Sequence, residues 1–162
     1  MPSEKLVKDF MQPLEQYYCI KEEETIEGAL RFMAKAREEK KSSCLLVVGE
    51  DPSEKEVIKG FITETELVFG LAAHFLKGTE RIGPIFWEGQ LETECREGGK
   101  KRVGEIMVPI KGCVRDTEML MEAVYLLNKY QGNFLPVVNQ ENVAGIIHLE
   151  DILKEISKIV LK

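Results

Sequence analysis

Val7-Lys8-Asp9-Phe10-Met11-Gln12-Pro13 and Val103-Gly104-Glu105-Ile106-Met107-Val108-Pro109 are one heptapeptide pattern written twice, 96 residues apart. Valine, methionine and proline are identical, and an acid holds the third position of both. Further pairs follow in the same order. Cys19-Ile20-Lys21 matches Cys113-Val114-Arg115 at an offset of 94, and Ala29-Leu30 matches Ala123-Val124 at that offset. Leu45-Leu46-Val47-Val48 matches Leu135-Pro136-Val137-Val138 at 90, and Gly60-Phe61-Ile62 matches Gly145-Ile146-Ile147 at 85, followed by Glu66-Leu67 against Asp151-Ile152. The offset shrinks only between matched segments. Preserved elements joined by shortening loops mark one folding unit present in two copies.

Each copy reads as β-α-β-β-α. Cys19 to Lys21 is a short strand, and the acidic turn Glu22 to Glu24 opens a helix whose apolar residues Ile26, Ala29, Leu30, Met33 and Ala36 share one face. The second helix follows Asp116-Thr117, a better cap, and buries Leu120, Ala123, Val124 and Leu127. Cys44 to Val48 and Phe134 to Val138 are continuous apolar runs suited to buried strands. Hairpins follow, long and polar over 49–56 and short around Asn139 to Asn142. The last strands, Val57 to Thr63 and Val143 to Leu149, run into amphipathic helices, Glu64 to Leu76 and Glu150 to Leu161. The organisation expected is a first repeat over 1–76, a connector over 77–102 and a second repeat over 103–162. Ile85-Phe86-Trp87 should fold the connector back onto the body or a partner chain, because flexible linkers rarely carry Trp. Its basic end, Gly98 to Arg102, reads as a solvated loop.

The 162 residues are 44% apolar and 31% charged, with 22 basic against 28 acidic side chains and a net charge of −6. A pI near 5.2 opposes a nucleic-acid partner, because duplex binding draws much of its affinity from Lys and Arg on phosphates. The first nine residues carry neither a signal core nor an Arg-rich transit pattern, so a cytoplasmic location is expected. Leu67 to Leu76 is ten residues long, against the roughly 20 that span a bilayer, so no membrane insertion is expected. Cys19, Cys44, Cys95 and Cys113 lack metal or redox spacing and are read as free thiols. Each unit of about 60 residues is too small to bury a generous core alone.

The two-copy pattern resembles a tandem pair of cystathionine-β-synthase (CBS) domains, the CBS pair or Bateman module. The resemblance rests on the Val-x-(Asp/Glu)-x-Met-x-Pro openings, the Leu135-Pro136-Val137-Val138 strand, and the strand-to-helix junctions Gly60 to Glu66 and Gly145 to Asp151. It covers nearly everything except the connector. It implies an α/β fold of the α+β type, with two β-α-β-β-α repeats packed about a pseudo-twofold axis. It also implies clefts that take an adenosine-containing ligand such as AMP, ADP, ATP, S-adenosylmethionine or a dinucleotide. Carried over residue by residue, one cleft combines Thr63 and Glu66 with Gly112, Val114, Asn133 and Phe134. The other combines His148 and Asp151 with Tyr18, Ile20, Ser43 and Cys44. A homodimer, a regulated protein partner, no required cofactor, no metal and no catalysis complete the expectation.

The junction chemistry stands without the family. A helix N-terminus offers unpaired N–H groups to an anion, and a carboxylate one turn in accepts two hydrogen bonds from a vicinal diol. A structural role competes with this. Thr63-Glu64-Thr65-Glu66 is a capping box. His148 is a poorer cap than Ser, Thr, Asp or Asn, and Asp151 is not expected to complete a box there, which favours the Asp151 cleft for binding. His148 would make phosphate contact pH-sensitive. Glu66 replaces the usual Asp and His148 the usual hydroxyl, and Tyr17 and Tyr18 are bulky beside the base slot. Two function classes follow: a regulatory module that binds an adenosyl ligand, and a ligand-free interaction module with clefts filled by Tyr17, Tyr18 and Phe134. A thiol enzyme using Cys19 or Cys113 is a third class, without a visible His base.

Overall fold

The computed structural model describes residues 4–71 and 88–162. Ile85, Phe86, Trp87 and His74, with the end of the helix expected to run to Leu76, lie outside the described residues. In chain order the elements are β1 (Gln12–Pro13), β2 (Cys19–Lys21), α1 (Ile26–Glu38), β3 (Leu45–Glu50), β4 (Glu56–Ile62) and α2 (Glu64–Leu71). After them come α3 (Gln90–Gly98), α4 (Val103–Ile106), β5 (Val108–Pro109), β6 (Val114–Arg115), α5 (Leu120–Tyr130), β7 (Phe134–Asn139), β8 (Asn142–His148) and α6 (Leu149–Val160). The expected β-α-β-β-α order is present in both copies, with boundaries shifted by one or two residues.

The compact units do not coincide with the sequence repeats. One unit is 17–109, and the other joins 1–16 to 110–162. Each opening heptapeptide therefore folds with the other copy's elements. The first unit holds a sheet of order β2-β3-β4-β5, the second a sheet of order β6-β7-β8-β1. In both, the first pair is parallel because a helix crosses over, and the next two pairs are antiparallel. The ladders even share a bulge, at Val47/Val48 and Val137/Val138.

Continuous apolar runs make the central strands, and the helix stripes cover them. In the first unit Ile20, Ile26, Ala29, Met33, Leu45, Val47, Ile62, Leu67 and Val103 form the core. In the second the core is Val7, Val114, Leu120, Ala123, Leu127, Leu135, Val137, Ile147 and Ile152. Val7 and Val103 are fully buried. Leu30, expected in the core, is 44% exposed, because Ile26, Ala29, Met33 and Ala36 already fill a narrow stripe and Leu30 lies at its edge.

Capping departs from expectation in an instructive way. The first helix carries a real cap, since Thr25 Oγ1 accepts from the Gly28 N–H at 3.1 Å. The second has Met119 at its N-cap and no side-chain cap, so Asp116-Thr117 does not serve. A helix start leaves unpaired N–H groups that need acceptors, and the opening segments supply them. Leu120 N–H donates to the Lys5 carbonyl at 2.7 Å and Ile26 N–H to the Lys101 carbonyl at 2.9 Å. In return Val7 and Lys8 N–H groups donate to Glu118 and Asp116 carbonyls, as Val103 and Gly104 do to Glu24 and Glu22. The basic end of the connector is structural too. Lys101 Nζ donates to the Gly70 carbonyl and Arg102 Nη1 to the Glu23 carbonyl. The connector's α3 packs on α2, with Gly98 against the Leu71 backbone.

Gly60 and Gly145 admit the short edge strands. A Cβ on Gly60 would meet the Val108 carbonyl oxygen at 2.5 Å, and one on Gly145 would collide with the Gln12 carbonyl oxygen. Gly60→Ala and Gly145→Ala should each cost about 1–3 kcal/mol in urea denaturation, the usual range for overpacking. Gly132→Ala, whose nearest contact would be an ordinary 3.8 Å, should stay within about 0.5 kcal/mol.

Candidate functional site

Each unit presents one strand-to-helix junction, where β4 enters α2 and where β8 enters α6. At the first, Glu66 Oε1 accepts from the Thr63 N–H at 2.8 Å and from the Thr63 hydroxyl at 2.7 Å. Glu66 Oε2 makes no hydrogen bond among the described residues. Cys44 lies buried beside this carboxylate, and burial, with a smaller contribution from the Glu66 charge, pushes its thiol up to about 12. It is a core thiol rather than a nucleophile.

The second junction is capped more fully than the sequence predicts. His148 Nδ1 accepts from the Glu150 N–H at 2.8 Å, and the His148 N–H donates to Asp151 Oδ2 at 3.2 Å, so the reciprocal box is complete. Imidazole reaches the helix start because Phe134, its register partner across β7 and β8, props the ring edge-on at 4.3 Å. The cap requires an unprotonated Nδ1. Burial of the ring holds its pKa below the ordinary value, while Asp151 and Glu150 oppose the shift and Lys154 adds to it. The second Asp151 oxygen is also taken: Gln12 Nε2 donates to Oδ1 at 3.0 Å.

Sequence reasoning missed Gln12. Its signal is positional, because Gln12 occupies the slot that Val108 fills in the other copy. Register then places it opposite Ile146, two residues before His148, as Val108 stands opposite Phe61, two before Thr63. Residues two apart on a strand share a face, so a long polar side chain at 12 reaches the junction and a valine at 108 cannot bond there.

The remaining predicted residues divide between the two units. In 17–109, Tyr18 is half-buried against Phe32, with Lys41 Nζ 4.6 Å and Lys35 Nζ 5.5 Å from its ring centroid. Tyr17 is buried, the Ile20 side chain belongs to the core, and Ser43 is half-buried just before Cys44. In the second unit Val114 is a core residue, and Gly112 sits where a Cβ would meet the Tyr130 ring at 2.6 Å. Asn133 is exposed and its carbonyl accepts the Leu149 N–H at 2.9 Å. Within the units, then, Phe134 stands with His148 and Asp151, and Cys44 with Glu66. Burial and the nearby Glu56 charge raise the Cys19 thiol. Among the described residues no group of three or more His, Cys, Asp or Glu side chains is placed to hold a metal ion, and no helix is long and apolar enough to cross a membrane.

The CBS domain model matches the chain at residues 7–73 and 103–158. Among curated proteins nothing matches. Among solved structures, the CBS-pair protein CBSX2 from Arabidopsis thaliana is 21% identical with a TM-score of 0.64, covering 99% of both chains. CBSX2 in complex with AMP is 22% identical, with a TM-score of 0.60 over 96% of this chain and 98% of that one. The CBS domain of a bacterial CNNM/CorC family Mg2+ transporter in complex with ATP is 21% identical, with a TM-score of 0.65 over 94% and 87%.

The His148 cap makes stability depend on acid. An unfolded imidazole titrates near 6.5 and the folded one lower, so between those values the unfolded chain binds more protons. The cap's contribution is therefore complete above about pH 6.5 and is lost as pH falls through the folded value. Urea midpoints measured from pH 7.5 to 5 should drop, and His148→Asn, a cap that does not titrate, should flatten that slope.

Proposed function

The chain belongs to the CBS-domain family, and on that premise we propose that it is a regulatory CBS pair that binds an adenosine-containing ligand and catalyses no reaction. AMP, ADP, ATP and S-adenosylmethionine are the candidate ligands, and no cofactor is required. The observation that carries this reading is the open Glu66 Oε2 at the start of α2. A carboxylate there accepts the ribose hydroxyls, and the helix start offers N–H groups to a phosphate. The solved complexes of CBSX2 with AMP and of the transporter CBS domain with ATP support the ligand class. The base-side residues implied by the family are Gly112, Val114, Asn133 and Phe134 for Thr63 and Glu66, and their counterparts Tyr18, Ile20, Ser43 and Cys44 would serve His148 and Asp151 only if that junction were open. Ligand binding regulates an unidentified partner protein, because differential affinity for two packings shifts their populations. A raised Cys19 thiol argues against thiol catalysis.

The second reading, a ligand-free interaction module, draws support from the Asp151 carboxylate, both of whose oxygens are already engaged within the chain. Thermal shift against the four ligands and NAD separates the two. A ligand at 100 Kd should add about 2.7 kcal/mol, and silence from all of them refutes the adenosyl reading. Glu66→Gln keeps an N3 side chain suited to the capping box but removes the charge. It should leave stability within about 0.5 kcal/mol and weaken ligand affinity at least about tenfold, the worth of a charged hydrogen bond.

A homodimer in a reducing cytoplasm is part of the same reading. Met121 and Tyr125 on α5 and Leu153, Ile156 and Ile159 on α6 are exposed, and a second copy is the occupant proposed for these faces. Ile156→Asp should halve the mass seen by light scattering. A wild-type mass of one chain would refute the dimer.

A further inference from the structure

Resting on the adenosyl reading, we propose that Gln12 determines which repeat takes the ligand. Its side-chain amide stands in for a diol donor on Asp151 and keeps that junction closed, so the Thr63/Glu66 junction is the one that binds. Three observations carry this. Asp151 has both oxygens engaged, Oδ1 by Gln12 Nε2 at 3.0 Å and Oδ2 by the His148 N–H at 3.2 Å. Glu66, its counterpart, uses one oxygen only, on its own Thr63. The difference traces to one position, because β1 and β5 enter their sheets in the same register, Gln12 opposite Ile146 and Val108 opposite Phe61. Valine has no donor. The Gln12 amide places one N–H on Asp151 Oδ1, and a ribose hydroxyl is a donor of the same kind to a carboxylate oxygen, so the amide and the diol contend for that oxygen. A ligand at Asp151 must first break an intramolecular bond whose partner is held at effectively constant proximity by the β1–β8 ladder.

The test is calorimetric titration of the full chain with AMP, with Gln12→Val recreating the residue of the other repeat and Gln12→Ala as a second variant. The wild type should bind one equivalent per chain, lost in Glu66→Gln and kept in Asp151→Asn. Gln12→Val and Gln12→Ala should bind a second equivalent, lost again when Asp151→Asn is added. Two wild-type sites of equal affinity, or wild-type binding that depends on Asp151 and not on Glu66, would overturn the assignment. So would one unchanged equivalent in both folded Gln12 variants, an outcome that leaves the adenosyl reading standing. If no variant binds AMP, both fall for that ligand. The side-chain amide resonances of Gln12 give a readout of the bond itself: they should shift in Asp151→Asn without ligand and stay unmoved when AMP saturates the wild type. Unshifted resonances in Asp151→Asn would refute the closure.

Discussion

Each unit is completed by an antiparallel pairing only two residues long, β5 on β4 in one and β1 on β8 in the other. These ladders are anchored by a valine buried in the core and by backbone exchange with the turn before the long helix. A sheet of three strands on a 60-residue segment has an unpaired edge and a thin core. The opening heptapeptide corrects both, since its strand covers the edge and Val7 or Val103 completes the apolar cluster. It also provides the carbonyls that start α1 and α5. Because each heptapeptide folds with the other repeat's elements, neither repeat is whole by its own contiguous sequence.

The same strands set the chemistry of the junctions. An edge strand in fixed register brings its side chains to the end of the neighbouring strand, where the helix begins and N–H groups point outward. Position 12 or 108 therefore decides what the junction carboxylate meets. In one unit the carboxylate closes on the N–H and hydroxyl of Thr63, forming only one half of the expected capping box, and keeps an oxygen free. In the other it is held from two sides, with an imidazole cap that an aromatic ring keeps in place. Duplicated backbones thus present unequal chemistry, and the inequality arises both within the junction, at His148 against Thr63, and outside it, at Gln12 against Val108.

Much of the fold was legible in the residues. Period-3.6 spacing located α1 and α5, apolar runs located β3 and β7, and the falling offset between copies revealed the duplication. The failures share a cause. Leu30 looked buried because periodicity does not state how wide a stripe the sheet will cover. Asp116-Thr117 looked like a cap because local chemistry is readable, whereas the Lys5 carbonyl that replaces it lies more than a hundred positions away. His148 looked like a poor cap because intrinsic preference ignores the Phe134 ring that holds it. α3 went unread because nothing in its short, charged sequence competes with a loop reading until Leu71 is against it.

The sequence by itself determined that the chain is two copies of one β-α-β-β-α unit, where the helices and strands of that unit fall, and which carboxylates stand one turn into the junction helices. These follow from periodicity and identity, which are local. Only the tertiary structure decided which opening segment completes which sheet, that Asp151 is already bonded, and that Glu66 keeps an oxygen to offer. Hydrogen bonds form between groups that register brings within about 3 Å, and register across a sheet is a property of the folded chain.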